Sequence, residues 1–141
     1  MPYRHLEHDA DIGILGIGAT IEEAFEQGAL AMFAVQLDPD TVVMKRELEV
    51  EVSAADLPEL FVELINELLA LADLNDLALA ELRLHELKET EEGWALKAKA
   101  LGEPLDPGRH GLRTEVKAAT YSGLRLSQEP DGYHIQCVLD I

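Results

Sequence analysis

The sequence predicts an α+β domain in which two main helices pack on an antiparallel or mixed sheet. Three observations carry this reading: apolar residues at helical spacing in two stretches, period-two alternation in several others, and turn signals between neighbouring alternating stretches. Thr20 followed by Glu23 forms a capping box, and Ile21, Ala24, Phe25, Gly28, Ala29, Met32 and Phe33 follow on one helical face. A helix is expected over about 20–36. Asp56, Pro58 and Glu59 mark a second start, and Leu60, Phe61, Leu64, Ile65, Leu68, Leu71 and Ala72 form a broad apolar stripe over about 56–73.

Alternation governs the rest. Leu48, Val50 and Val52, then Leu82 and Leu84, then Trp94, Leu96, Ala98 and Ala100, and finally Tyr133, Ile135, Cys137 and Leu139 each alternate with polar neighbours, as strands with one buried face do. Glu91-Glu92-Gly93 and Pro130-Asp131-Gly132 read as hairpin turns between strands. A chain of 141 residues with 48% apolar and 28% charged content fits one globular domain over 1–141.

Composition also excludes function classes. The opening residues lack the apolar run of a secretory signal, and the greasiest stretch, about 60–72, is interrupted by Glu63, Asn66 and Glu67, so no membrane association is expected. A single cysteine, Cys137, excludes an internal disulfide and a multi-cysteine zinc site, and fits a cytoplasmic location. The formal charge of −17, from 28 acidic against 11 basic residues, repels phosphate backbones, so tight direct nucleic-acid binding is not expected.

Several apparent motifs carry no chemistry. Gly13, Gly16 and Gly18 have the wrong spacing for a dinucleotide loop, and no lysine follows a glycine as a Walker loop requires, so close packing is the better account. His5 and His8 fall on opposite faces of an extended segment, and His85 and His134 lie on strand patterns. Cys137 sits on an apolar strand face with no base beside it.

Three stretches stand out. In His8-Asp9-Ala10-Asp11-Ile12-Gly13 two acids sit at the edge of an apolar strand. Two carboxylates about 4 Å apart repel by roughly 4 kcal/mol at an effective dielectric of 20, so a site that gathers them recruits a hard cation or protonates. The second stretch is Gly102-Glu103-Pro104-Leu105-Asp106-Pro107-Gly108-Arg109-His110, made rigid by its prolines, and the Arg113–Thr120 run after it. Alternation there is expected to put Arg113, Glu115 and Lys117 on one face, and between Arg109 and Arg125 the local charge is inverted to basic. The third is the end of the sequence, where Asp140 faces away from the apolar side chains and Ile141 adds main-chain and terminal oxygens. An oxygen-only set suits Ca²⁺, Mg²⁺ or Mn²⁺ better than zinc.

Taken together and in order, these stretches resemble the archease family. The resemblance rests on His8-Asp9-Ala10-Asp11-Ile12-Gly13, on Glu22-Glu23-Ala24-Phe25 with Ala31-Met32-Phe33, on Gly102-Glu103-Pro104, on Glu115-Val116-Lys117-Ala118-Ala119-Thr120-Tyr121, and on Leu139-Asp140-Ile141. Asp9 replaces the family's usual threonine, and Ser122 a histidine that commonly follows the tyrosine. The resemblance implies an accessory factor for the GTP-dependent RNA ligase of tRNA splicing, one that promotes the ligase's guanylylation and turnover and broadens its nucleotide use. It also implies a divalent-cation site at Asp11, Asp140 and Ile141, with Lys117 functional and Glu115 beside it. Two other classes stay open: a chaperone or modulator of RNA-modifying enzymes, and a stand-alone metal-dependent phosphoryl enzyme.

Overall fold

The structure is a computed structural model and describes residues 2–7 and 11–141. Its helices begin where short polar side chains cap them. Thr20 Oγ1 accepts the Glu23 amide at 3.1 Å, opening α1 (Ile21–Gln36), and Asp56 Oδ1 accepts the Glu59 amide at 2.9 Å, opening α2 (Leu57–Asn75). Both lie within two residues of the ranges expected from the apolar spacing.

The strands divide into two antiparallel sheets, a division the alternation pattern could not reveal because it reports only which face of a strand is buried. One contains β1 (Tyr3–Glu7), β2 (Asp11–Gly18), β6 (Ala118–Glu129) and β7 (Gly132–Asp140) in the order β1-β2-β7-β6. The other contains β3 (Arg46–Ala54), β4 (Leu77–Thr90) and β5 (Gly93–Pro104) in the order β3-β5-β4. The two expected turns close the β4–β5 and β6–β7 hairpins, with Gly93 and Gly132 at positive φ.

Each helix touches both sheets: α1 lies on β2 and on β4, and α2 on β3 and on β6. This explains a feature of α1 that a one-sided amphipathic helix lacks, the consecutive burial of Ala31, Met32, Phe33, Ala34 and Val35. One continuous core joins Ile14, Cys137 and Leu139 of the first sheet to Val50, Leu96 and Ala98 of the second through Phe25 and Phe61, whose rings meet edge to face at 5.3 Å. Gly16 lets β2 approach α1 backbone to backbone: a Cβ there would stand 2.2 Å from the Ala24 carbonyl oxygen and 2.4 Å from the Gly28 nitrogen. A Cβ on Gly18 would likewise stand 2.4 Å from the Ala24 nitrogen, so these two glycines are packing devices. The opposite face of the second sheet is solvated, with Lys97 between Glu51 and Glu86 at 4.0 and 3.9 Å and Lys99 near Glu47 at 3.6 Å.

One expectation fails. Residues 111–117 are not a strand, so alternation does not set Arg113, Glu115 and Lys117 on a common face. The reason lies at the C-terminal end of α1, whose last carbonyls need donors. Gln36 O accepts the Arg113 amide at 2.8 Å, Val35 O the Thr114 amide at 3.1 Å and Ala34 O the Arg113 guanidinium at 2.9 Å. The segment is held by the helix end, and its arginine sets a positive charge against the negative pole of the dipole. A short helix, α3 (Pro107–His110), precedes it, with Asp106 Oδ1 accepting the Gly108 amide at 3.1 Å.

Candidate functional site

The antiparallel register decides which acids meet. Asp11 opens β2 and Asp140 closes β7, and the pairing places them directly opposite each other; on the other side of Asp140, Ala118 of β6 is its partner. Residues paired in this way share a face of the sheet. The next pair along, Ile12 with Leu139, turns to the core, so the two acids lie on the face away from the helices. Asp140 is exposed and Asp11 half-buried.

Lys117 joins them through its main chain. Its amide donates to Asp140 O at 2.8 Å, extending the β6–β7 ladder by one bond, and its side chain is exposed. The turn into β6 is pinned from α2, where the Asn66 side-chain oxygen accepts the Ala119 amide at 2.8 Å and its nitrogen donates to Ala119 O at 3.3 Å. The Ile141 side chain packs half-buried against the core, which leaves its main-chain oxygens beside Asp140. Glu115 is exposed on the segment leading to Lys117. The fold thus brings Asp11, Asp140, Ile141 and Lys117 to one end of the first sheet, while Glu115 stays on the approach to it. His8 and Asp9 lie outside the described residues.

The donor set is oxygen only, which fits a hard cation in type. Among the described residues no group of three acidic, histidine or cysteine side chains converges, so Asp11 and Asp140 form a partial site whose remaining donors would be main-chain oxygens, water or a partner. Ser122 lies where β6 bulges between Thr120 and Arg125; its amide bonds Thr120 Oγ1 at 3.3 Å, and the neighbouring Tyr121 hydroxyl donates to Glu63 at 3.2 Å. His5 contacts Ala31 O at 3.0 Å and His134 pairs with Asp131 at 2.6 Å. Cys137 is buried, which pushes its thiol up to about 12 and leaves it unreactive at neutral pH.

A second polar cluster, more deeply buried, lies under the rigid stretch. Glu103 is 2% exposed. Its carboxylate accepts from Arg109 at 2.6 Å, from the Val43 amide at 2.7 Å and from His110 Nε2 at 3.0 Å. His110 Nδ1 accepts the Asp106 amide at 2.9 Å, so the ring proton resides on Nε2 and points at Glu103. The arrangement ties α3 to the end of β5 and fixes where the 111–117 segment begins. Glycine, glutamate and proline ahead of an Arg-His pair were the visible signal; the Val43 amide, 60 residues away, left none.

The Arg109 hydrogen bond, then the Val43 amide and His110, hold the Glu103 carboxyl at about 2, below its ordinary 4.5. A depressed carboxylate contributes stability that is complete above its unfolded value and disappears as pH falls. The protein is therefore expected to lose stability progressively between pH 4.5 and about 2, and Glu103→Gln should be less stable at pH 7 and lose less across that window. Chemical denaturation at pH 7 and pH 3 measures both; equal slopes for the two proteins would remove Glu103 as the source.

Comparisons with known proteins assign the family and the fold over nearly the whole chain. The sequence model of the Archease protein family (MTH1598/TM1083) matches residues 3–141. The chain is 43% identical over 140 residues to the archease of Pyrococcus abyssi, covering 99% of this chain and 98% of that one, and 45% identical over 130 residues to the archease of Thermococcus gammatolerans, covering 92% and 91%. The solution structure of Methanobacterium thermoautotrophicum protein 1598 superimposes with a TM-score of 0.87 at 30% identity, covering 99% of each chain. A crystal structure from Thermotoga maritima, described as an archease and possible chaperone, shares the fold with a TM-score of 0.61 at 21% identity, covering 96% of this chain and 94% of that one.

Proposed function

Because the chain belongs to the archease family, we propose that it is an accessory protein that holds a divalent cation on Asp11 and Asp140 and activates a GTP-dependent RNA ligase of tRNA splicing. Its action is to promote guanylylation and turnover of the ligase and to broaden the nucleotides that the ligase accepts. The observation that supports this reading best is the register that sets Asp11 opposite Asp140 beside Lys117. Like charges directly opposite on a sheet destabilise it, and a cation between them turns that repulsion into attraction.

When bound, Ca²⁺, Mg²⁺ or Mn²⁺ would supply Lewis-acid neutralisation of charge developing on phosphate oxygens. The chain's own residues do the rest. Asp11 and Asp140 present carboxylates from two paired strand ends, Ile141 adds main-chain oxygen, and Lys117 offers an ammonium within the same sheet end for a phosphate. Glu115 offers an exposed carboxylate to a basic partner. The charge of −17 favours fast encounter with a protein whose own surface is built to hold RNA. The description of the Thermotoga relative as a possible chaperone likewise points to a protein as the thing acted upon.

The reading is tested by following transfer of labelled GMP to the ligase with and without this chain, which by itself is expected to join no RNA. No stimulation by the unaltered protein would end it. The cation site has a separate test. Asp140→Asn is expected to abolish the heat of Ca²⁺ binding in titration calorimetry and, without metal, to raise stability by about 0.2–1 kcal/mol as cross-strand repulsion is removed. A lower metal-free stability would instead make Asp140 a structural residue.

A further inference from the structure

Four strands form the edges of the two sheets, and three of them are blunted against further pairing. β1 is only five residues long. β6 bulges between Thr120 and Arg125, and its Ala119 amide and carbonyl are taken by the Asn66 side chain at 2.8 and 3.3 Å. β4 is broken by register shifts between Leu79 and Glu81 and between Leu84 and Glu86, and Glu26 of α1 accepts its Leu84 amide at 2.9 Å.

β3 is different. It pairs with β5 in unbroken register from Arg46 to Ala54, nine residues without a bulge or a proline, and among the described residues no hydrogen bond reaches the main chain along its other side. Amides and carbonyls pointing from such an edge are a template for another strand. Beside the edge runs an open groove of about 430 Å³, lined by Val52 and Ser53 of β3 and by Glu63 and Glu67 of α2. The side chains of β3 select what fits. Glu47, Glu49 and Glu51 are exposed on the solvated face, and Leu48 and Val52 are half-buried on the other. The cations of β5 offset these acids only in part: Lys97 is shared between Glu51 and Glu86, Lys99 pairs with Glu47 at 3.6 Å, and Glu49 has no ion pair among the described residues.

We infer that the free edge of β3 takes up, as a fourth strand of its sheet, an extended segment of a protein partner in which lysine or arginine alternates with apolar residues. Its main chain pairs with β3, its cations lie beside Glu47, Glu49 and Glu51, and its apolar side chains lie along Leu48 and Val52. The same glutamates exclude other occupants. A second copy of this chain would set its own β3 glutamates against these, and a phosphate backbone would meet a row of carboxylates. The edge belongs to the sheet that does not carry Asp11 and Asp140, so the inference rests neither on the cation site nor on the partner being a ligase.

The test uses peptides of about eight residues that alternate lysine with valine or glutamate with valine, followed by fluorescence anisotropy, amide chemical shifts and amide hydrogen exchange. The lysine peptide is expected to shift amides of residues 46–54 and to slow exchange of alternate amides there by about tenfold or more, and the glutamate peptide to bind at least about tenfold more weakly. Of two lysine peptides N-methylated at opposite sets of alternate residues, one should lose binding and the other keep it, because amides on one side of a strand meet β3 and those on the other side face water. Glu47→Gln, Glu49→Gln and Glu51→Gln together should weaken the lysine peptide by about tenfold or more. Glu22→Gln, Asp40→Asn and Asp73→Asn together remove as many exposed charges elsewhere and should leave binding unchanged. No binding of the lysine peptide, shifts confined to another surface, equal affinity for the glutamate peptide, or undiminished binding of both N-methylated peptides would each overturn the inference.

Discussion

On the proposed function, Asp140→Ala is expected to slow guanylylation of the ligase, at saturating concentrations of this protein, by about a hundredfold. Asp140 is exposed and its side chain makes no hydrogen bond or ion pair with the described residues, so the variant should fold normally. Its carboxylate is half of the cross-strand pair, and losing it leaves Asp11 alone at the sheet end. A cation held by Asp11 and Asp140 would neutralise charge developing on phosphate oxygens during transfer of GMP, so the loss should fall on the rate and spare affinity for the ligase. Lys117→Ala should cost less, about tenfold, because the side chain is exposed and the loss of one charge-assisted hydrogen bond there falls at the low end of its range, roughly 1.5 kcal/mol. Single-turnover transfer of labelled GMP, with ligase affinity measured in parallel, separates the two effects. Undiminished stimulation by Asp140→Ala and Lys117→Ala would sink the mechanism.

The largest expected effect on folding is at Gly16. A methyl group there would stand 2.2 Å from Ala24 O, 2.4 Å from Gly28 N and 2.7 Å from Gly28 Cα, all backbone atoms of α1 that cannot swing aside. Either the helix lifts from β2, opening the core around Ile14 and Phe25, or the strand shifts and breaks its pairing with β7. Overpacking of this kind costs at least about 3 kcal/mol, which for a chain of this size lowers the melting temperature by about 10 °C. Gly16→Ala followed by circular dichroism during heating checks it. A change of only a degree or two would show that the helix moves freely on the sheet.

The sequence by itself determined the two helices, because their signals are local. A cap is a contact between residues three apart, and an apolar stripe repeats within a turn, so Thr20 with Glu23 and Asp56 with Glu59 are legible before any tertiary contact exists. The same holds for the hairpin turns at Gly93 and Gly132 and for the buried faces of β3, β4, β5 and β7. Which strands share a sheet, and in which register, is set by contacts far apart in the chain, and alternation is silent on both. Only the tertiary structure decided that Asp11 lies opposite Asp140. The segment 111–117 departs from the expected strand for the same reason: Arg113, Glu115 and Lys117 alternate as a strand would, but the unsatisfied carbonyls at the end of α1 take that backbone instead. Glu103 belongs to the rigid stretch that stands out in the sequence, yet its meaning required the Val43 amide and the Arg109 and His110 side chains to surround it. A buried charge is tolerated only where partners converge from several directions, and convergence in space is what a linear sequence does not encode.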